Sequence, residues 1–167
     1  NIVDLGNAVA GLAGLDGALH TEYSRSIAEQ IGLSKHLVLI AADGLGMNAI
    51  REMAGDSFIR SHVVTELRTV FPSSTPVVFT SLATGQWPSK HAVTGWHVYL
   101  SEIDRVVTII RFEGRSDKRQ LSELGLSPEQ AYPLPSLVGR FARDTLSLLP
   151  EEFAGDVYST YTTGGTR

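Results

Sequence analysis

The sequence predicts an α/β fold with a largely parallel sheet. Short apolar runs of strand length alternate along the chain with segments of helical spacing. The run "HLVLIAA" at 36–42 is apolar without interruption, which is the pattern of a parallel strand covered on both faces. With 167 residues, of which 43% are hydrophobic and 19% charged, the chain has the size and composition of one globular domain.

The elements up to residue 54 follow from spacing and turn residues. Residues 2–15 indicate a weak helix or a loop, and 21–33 a helix that ends at Gly32. The apolar strand at 36–42 is followed by a tight turn and by a helix from about residue 46 to 54. The order of helix, strand and helix is that of an α/β fold.

The next two elements are a strand at 63–72 and a helix at 75–85. Pro76 suits the first turn of this helix and Gly85 suits its end. The same criteria give the rest of the chain: a short strand in "WHVYLSE" (96–102), a strand at 105–114, a polar surface insertion at 114–135, a helix at 135–145 and the start of a strand in "DVYSTYTT" (156–163).

Composition excludes several classes of protein and site. The net charge is −4 and the charges are scattered, which argues against a nucleic-acid-binding surface. The absence of cysteine excludes disulfides and thiolate metal sites, so any metal would have oxygen and imidazole ligands. No apolar run approaches the roughly 20 residues of a membrane helix, and the first residues lack the pattern of a signal peptide.

Asp43 directly follows the apolar run at 36–42, at the strand end where α/β folds collect ligands. A carboxylate beside a buried strand costs free energy unless it is hydrogen-bonded or paired with a cation. One interpretation is an N-cap for the helix at 46, and the other is a metal ligand. The residues alone leave both open.

The run "SSTP" at 73–76 ends the next predicted strand and starts a helix. Ser74 or Thr75 could simply cap that helix. A helix N-terminus also offers backbone N–H groups to a phosphate, and a hydroxyl there can attack phosphorus if its pKa is lowered. With no histidine adjacent, a metal ion is the obvious agent for lowering it.

Taken together, "LVLIAADGLG" and "VFPSSTPVVFTSLATGQWPSKHAVTGW" resemble the alkaline phosphatase superfamily, and within it the type I phosphodiesterase and nucleotide pyrophosphatase family. The resemblance covers about residues 36–112. It implies a three-layer α/β/α sandwich, of which residues 1–167 would form the N-terminal part of a single catalytic domain.

The resemblance also assigns roles. Thr75 would be the nucleophile, which forms a phospho-threonine intermediate that water then hydrolyses. Asp43 and Thr75 would be ligands in a site of two divalent metal ions, expected to be zinc, with manganese or magnesium as alternatives. The substrate would be a small phosphorylated molecule with a phosphodiester or pyrophosphate bond, such as a nucleotide. Thr84, Gly85, Pro88 and His91 would be scaffold, with His91 a structural hydrogen-bonding residue.

Two departures from the family pattern bear on these roles. Trp96 stands where nucleotide pyrophosphatases have an asparagine, so another donor or another substrate is implied. The further aspartate and histidine ligands of the family do not appear after Thr75, where the histidines are His91 and His97. We therefore expect the remaining ligands outside residues 1–167, and little activity from these residues alone. The alternatives are a truncated or degenerate non-catalytic relative, and a phosphomutase or phosphonate hydrolase of the same superfamily.

Overall fold

The computed structural model describes residues 1–166. By their contacts the residues form two compact units, one of Asn1–Leu33 with Thr69–Arg167 and one of Ser34–Arg68. Among the described residues, no helix has both the length and the apolar character needed to cross a bilayer.

The larger unit begins with two packed helices, α1 (Ile2–Leu12) and α2 (Glu22–Ile31). The helix predicted at 21–33 is confirmed, and Thr21 begins it with a capping box in which Thr21 and Ser24 exchange side-chain to backbone hydrogen bonds. Gly32 ends α2 at a φ of 77°, a conformation that glycine adopts without strain. Small apolar residues on α1 let the two helices approach closely, with Ala8 packed against Ile27 and Ala28.

The predicted helix at 75–85 is also confirmed, as α5 (Thr75–Thr84). It is preceded in the chain by α3 (Met47–Glu52) and α4 (Phe58–Ser61) of the smaller unit and followed by α6 (Pro88–His91). Val77 on α5 and Val3 on α1 form a small buried cluster with Val70. This cluster fixes α5 against α1.

The sheet of the larger unit is antiparallel and has three strands in the order β1 (His97–Leu100), β2 (Arg105–Thr108) and β3 (Glu113–Gly114). β1 pairs with β2 from His97 opposite Thr108 to Leu100 opposite Arg105. The short strand predicted in 96–102 is thus confirmed. The strand predicted at 105–114 is interrupted, because residues 109–111 form a 3₁₀ turn that buries Ile109.

The main hydrophobic core lies under this sheet. Its buried residues are Val93, Val107, Ile109, Phe112, Leu121, Leu126, Ala131, Tyr132 and Tyr158. Four of them, Leu121, Leu126, Ala131 and Tyr132, belong to the polar segment 114–135, which contains α7 (Pro128–Ala131). Apolar side chains spaced along an otherwise polar segment thus contribute to the core.

Two predictions for the C-terminal residues are wrong. Residues 156–163 form a helix, α8 (Val157–Thr162), where a strand was expected. The β-branched residues there favour a strand, but burial of Tyr158 and the packing of Tyr161 against the main core favour the helix. The helix predicted at 135–145 is reduced to a 3₁₀ turn at Val138–Arg140.

The smaller unit contains α3 and α4 and none of its residues, all of them described, is buried. Its internal contacts are at the surface, such as the ion pair between Arg51 and Glu66 at 2.7 Å and the stacked rings of Phe58 and His62. The helix predicted at 46–54 is confirmed as α3. The strands predicted at 36–42 and 63–72 are not formed, and Val38 and Ile40 are 77% and 84% exposed.

The molecule is therefore a mixed α/β structure, as predicted, but with a different sheet. Within residues 1–166 the sheet is antiparallel, and the largely parallel sheet of a three-layer sandwich is not formed. The reason is that the apolar runs expected to be its strands have no partner strands in this structure. An apolar run without a neighbouring strand leaves its backbone groups to water and gains nothing from extended pairing.

Candidate active site

Thr75 is the first residue of α5, and its side chain is half-buried. The N-cap is Ser74, which has an extended backbone and makes no hydrogen bond from its side chain to the helix. The first N–H groups of a helix have no acceptor within it, and Pro76 has no N–H to satisfy. The Ser74 hydroxyl is therefore not the side-chain cap that the sequence allowed.

The hydroxyl of Ser74 has a second unusual property. Its Oγ is buried and has no hydrogen-bond partner among the described residues. A buried polar atom left unsatisfied costs about 1–3 kcal/mol. An uncapped helix start beside such a hydroxyl is unfavourable for folding alone, and such features are concentrated at functional sites.

The far end of α5 is fixed by α1. Asn7 is buried on α1 and its Nδ2 donates to the carbonyl oxygens of Gly85 at 2.9 Å and of Val3 at 3.0 Å. Gly85 has a φ of 60°, and a Cβ there would lie 2.5 Å from Asn7 Oδ1. The glycine that was expected at the end of this helix is therefore required both by its φ and by its close neighbour.

His91 is fully buried on α6 and links it to α5. Its Nδ1 accepts from the Val93 N–H at 3.2 Å, which places the proton of the neutral ring on Nε2. That nitrogen lies 2.9 Å from Ser81 Oγ and donates to it. The ring therefore cannot act as a base toward Ser81, and these contacts agree with the predicted structural role of His91. Burial lowers the pKa of His91 from 6.5 to about 4.

The C-terminal residues hold the other side of α5. The backbone N–H of Leu137 donates to the Ala83 carbonyl at 2.7 Å, and the Tyr158 hydroxyl donates to the Pro76 carbonyl at 2.9 Å. Sequence reasoning missed Tyr158 because its segment was predicted to be a strand. The helical spacing of Tyr158, Tyr161 and Thr162 was the signal that could have identified it.

Asp43 lies in the smaller unit, in a turn without regular structure, and is exposed. The helix that follows begins at Met47 with Gly46 as its N-cap, so the interpretation of Asp43 as a helix cap is wrong. Thr75 belongs to the larger unit. That Asp43 and Thr75 bind one metal ion together stays a prediction.

Trp96 is 43% exposed and thus is not a core residue. Its backbone carbonyl accepts from the Ile109 N–H at 3.2 Å at the start of the sheet. The backbone of Trp96 is thus tied to the larger unit, and the residue is partly exposed there.

The residues present do not complete a metal site. In the part of the chain that the structure describes, no group of three or more histidine, aspartate or glutamate side chains is placed to hold an ion. One carboxylate and one hydroxyl are fewer ligands than a structural or catalytic zinc ion needs. A resident two-metal centre does not fit residues 1–166 by themselves.

A family model described as type I phosphodiesterase / nucleotide pyrophosphatase matches residues 37–121, about half of the chain. The matched region contains Asp43, Thr75 and all of α5 and α6. No curated protein and no solved structure matches the chain.

Proposed function

The chain belongs to the type I phosphodiesterase / nucleotide pyrophosphatase family, and on this premise we propose that the complete protein hydrolyses phosphodiester or pyrophosphate bonds. Thr75 is the proposed nucleophile and a small phosphorylated molecule, such as a nucleotide, the proposed substrate. The observation that carries the proposal is the position of Thr75 as the first residue of an uncapped helix. A helix N-terminus stabilises the negative charge of a phosphoryl group through its N–H groups and its dipole.

In the proposed reaction the Thr75 oxygen attacks phosphorus and loses its proton. The bond from phosphorus to the leaving oxygen breaks, and that oxygen departs with a proton as the first product. Water then attacks the phospho-threonine, the bond from phosphorus to the Thr75 oxygen breaks, and the threonine hydroxyl is restored. The contacts of α5 with α1, α6 and α8 support this role, because a nucleophile on a well-anchored helix keeps its geometry.

Two divalent metal ions remain part of the proposal, with zinc expected and manganese or magnesium as alternatives. Asp43 and Thr75 would supply ligands, and the others would have to come from outside residues 1–167. The finer fold assignment is likewise proposed: a three-layer α/β/α sandwich in which the apolar run at 36–42 pairs as a parallel strand. The exposure of Val38 and Ile40 supports it, since such side chains are usually covered.

The test is the Thr75→Ala variant of the complete protein with bis-para-nitrophenyl phosphate and a dinucleotide pyrophosphate as substrates. We expect turnover to fall at least about a thousandfold while the fold is retained. Thr75→Ser is the matched control, because it keeps a hydroxyl at the same position and should retain measurable turnover. Acid quenching of the wild-type reaction should trap a phosphoryl group on Thr75, to be located by mass spectrometry. Near-normal hydrolysis by Thr75→Ala would reject the assignment.

Asp43→Asn tests the proposed ligand in the same protein. The amide oxygen is a poorer ligand than a carboxylate, so metal affinity measured by titration calorimetry should decrease and turnover with it. Unchanged metal stoichiometry and turnover would exclude Asp43 from the site. If the wild-type protein hydrolyses neither substrate, a phosphonate substrate and a phosphomutase assay decide between the remaining enzyme classes and a non-catalytic relative.

A further inference from the structure

The side chain of Tyr158 joins α8 to the first turn of α5. Its hydroxyl oxygen lies 2.9 Å from the Pro76 carbonyl oxygen and 3.0 Å from Thr80 Oγ1, and the residue is 9% exposed. A carbonyl can only accept, so the Tyr158 hydroxyl donates to Pro76 and the Thr80 hydroxyl donates to Tyr158. The three groups form a directed chain of hydrogen bonds in the buried interior, where each bond strengthens the next.

We propose that Tyr158 is a positioning residue for Thr75, an inference that rests on the proposed function of Thr75 as nucleophile. Pro76 directly follows Thr75, and its ring fixes its φ. The hydrogen bond from Tyr158 to the Pro76 carbonyl restrains the other backbone dihedral, ψ. Both backbone dihedrals of Pro76 are then restrained, and Pro76 holds Thr75 in place relative to the core. The Thr75 hydroxyl retains only rotation about its own side-chain bond.

Two other tyrosines, the buried Tyr132 and the partly buried Tyr161, provide an internal comparison. The hydroxyl of Tyr132 donates to the Ile109 carbonyl at 2.7 Å, and that of Tyr161 to the Leu134 carbonyl at 2.8 Å. The rings of Tyr132 and Tyr161 stack with centroids 4.5 Å apart, and Tyr158 packs beside both. Burial raises the pKa of all three hydroxyls, so each remains a donor. All three donate to a carbonyl, but the carbonyls bonded to Tyr132 and Tyr161 lie outside α5.

This comparison separates positioning from stability. Removing the hydroxyl of Tyr132 or Tyr161 deletes one hydrogen bond, and removing that of Tyr158 deletes the bonds to Pro76 and Thr80; each change leaves a carbonyl to be satisfied. Only removal of the Tyr158 hydroxyl also deletes a hydrogen bond to the first turn of α5. A role in positioning therefore predicts a loss of rate that is specific to Tyr158, whereas a purely structural role predicts similar effects at all three positions.

The experiment measures kcat and KM of the complete protein with bis-para-nitrophenyl phosphate. For Tyr158→Phe we expect kcat to fall about tenfold with KM changed less than about twofold, since misplacing a reacting group lowers the rate of the chemical step. Tyr132→Phe and Tyr161→Phe should keep kcat within about twofold of the wild type. Thermal unfolding of each variant measures whether it is folded at the assay temperature.

Thr80→Val serves as a second variant, because it removes the donor to Tyr158 and keeps the shape of the side chain. A smaller decrease of kcat is expected, and this variant decides the question if Tyr158→Phe does not fold. Equal kcat values for Tyr158→Phe and Tyr161→Phe would overturn the inference. If Tyr158→Phe does not fold, an unchanged kcat for Thr80→Val would overturn it. If Thr75→Ala has lost turnover and Tyr158→Phe keeps the kcat of the wild type, only the positioning role is rejected. If Thr75→Ala keeps its turnover, the proposed function itself is rejected.

Discussion

At the scale of single residues, His91 shows how burial determines protonation. Its ring is fully buried, with Nδ1 accepting from Val93 and Nε2 donating to Ser81. A second proton would have to be placed on Nδ1, against the N–H of Val93. The neutral form is therefore the one that fits the folded protein, in agreement with the lowered pKa.

We predict that His91 makes stability depend on pH in the acid range. Its pKa is 6.5 in the unfolded chain and about 4 in the folded protein, so between these values the unfolded state binds more protons. The stabilisation is complete above pH 6.5 and is lost as the pH falls toward 4, by about 1.4 kcal/mol per pH unit and about 3 kcal/mol in all. Urea denaturation at several pH values measures it.

The matched control is His91→Gln, which replaces the ring with an amide that does not titrate. Its free energy of unfolding at neutral pH should be lower than that of the wild type, because the paired contacts of the ring are lost. The dependence on pH between 6.5 and 4 should be weaker by the contribution of one group. Parallel curves for the two proteins would show that His91 is not the group responsible.

Single residues of the candidate site were predictable to different degrees. The positions of Thr75 and Gly85 at the two ends of a helix follow from local sequence, because proline and glycine impose backbone angles. The unsatisfied hydroxyl of Ser74 could not be predicted from local sequence, since its hydrogen-bond partners depend on which atoms surround the turn. The same holds for Asp43, whose sequence position fits a cap that the structure assigns to Gly46.

At the scale of elements, α1 and α5 pack at unusually short range. Gly6 on α1 faces the backbone of Leu82 on α5, and a Cβ at Gly6 would overlap the Leu82 carbonyl oxygen. Backbone atoms cannot move aside as a side chain can. The absence of a side chain at Gly6 is therefore what permits this approach of the two helices.

We predict that Gly6→Ala destabilises the protein by about 1–3 kcal/mol, although alanine favours a helix by about 1 kcal/mol over glycine. Gly11→Ala is the matched control on the same helix, because a Cβ there meets only the side chain of Leu19, which can change rotamer. Its effect should be clearly smaller. Thermal or urea unfolding of both variants provides the comparison, and equal effects would contradict the close backbone approach.

Element type was predictable where caps and spacing agreed. The start of α2 at Thr21 and the end of α5 at Gly85 carry local signals that act within a few residues. The strand predicted at 156–163 failed because β-branched residues favour a strand only where a sheet offers neighbours. In this segment the packing of Tyr158 and Tyr161 against the main core favours a helix.

At the scale of the whole molecule, the two units differ in how much they bury. The larger unit contains all the buried clusters, whereas residues 34–68, which are fully described, contain no buried residue. Apolar side chains are nevertheless frequent in the smaller unit, where Val38, Ile40 and Val64 are each more than three-quarters exposed. Such composition is expected of a segment that is covered by further structure.

We predict that amide hydrogen exchange in the complete protein distinguishes the two possible states of residues 36–42. If they form a parallel strand of a sandwich, the amides of Val38 and Ile40 should exchange slowly, as those of Thr80 and Ala83 in α5 should in either case. Exchange at the rate of an unprotected loop would reject the proposed sheet. The measurement is deuterium uptake by mass spectrometry of peptides that cover residues 36–42 and α5.

The sequence by itself determined the family, the α/β class and the helix that begins at Thr75, because motif order, composition and local backbone preferences are properties of short stretches of chain. The tertiary structure alone decided which strands pair, which hydroxyl lacks a partner and that Tyr158 holds the first turn of α5. Each of these depends on contacts between residues far apart in sequence. Such contacts are selected by the free energy of packing over the whole chain, which no local pattern records.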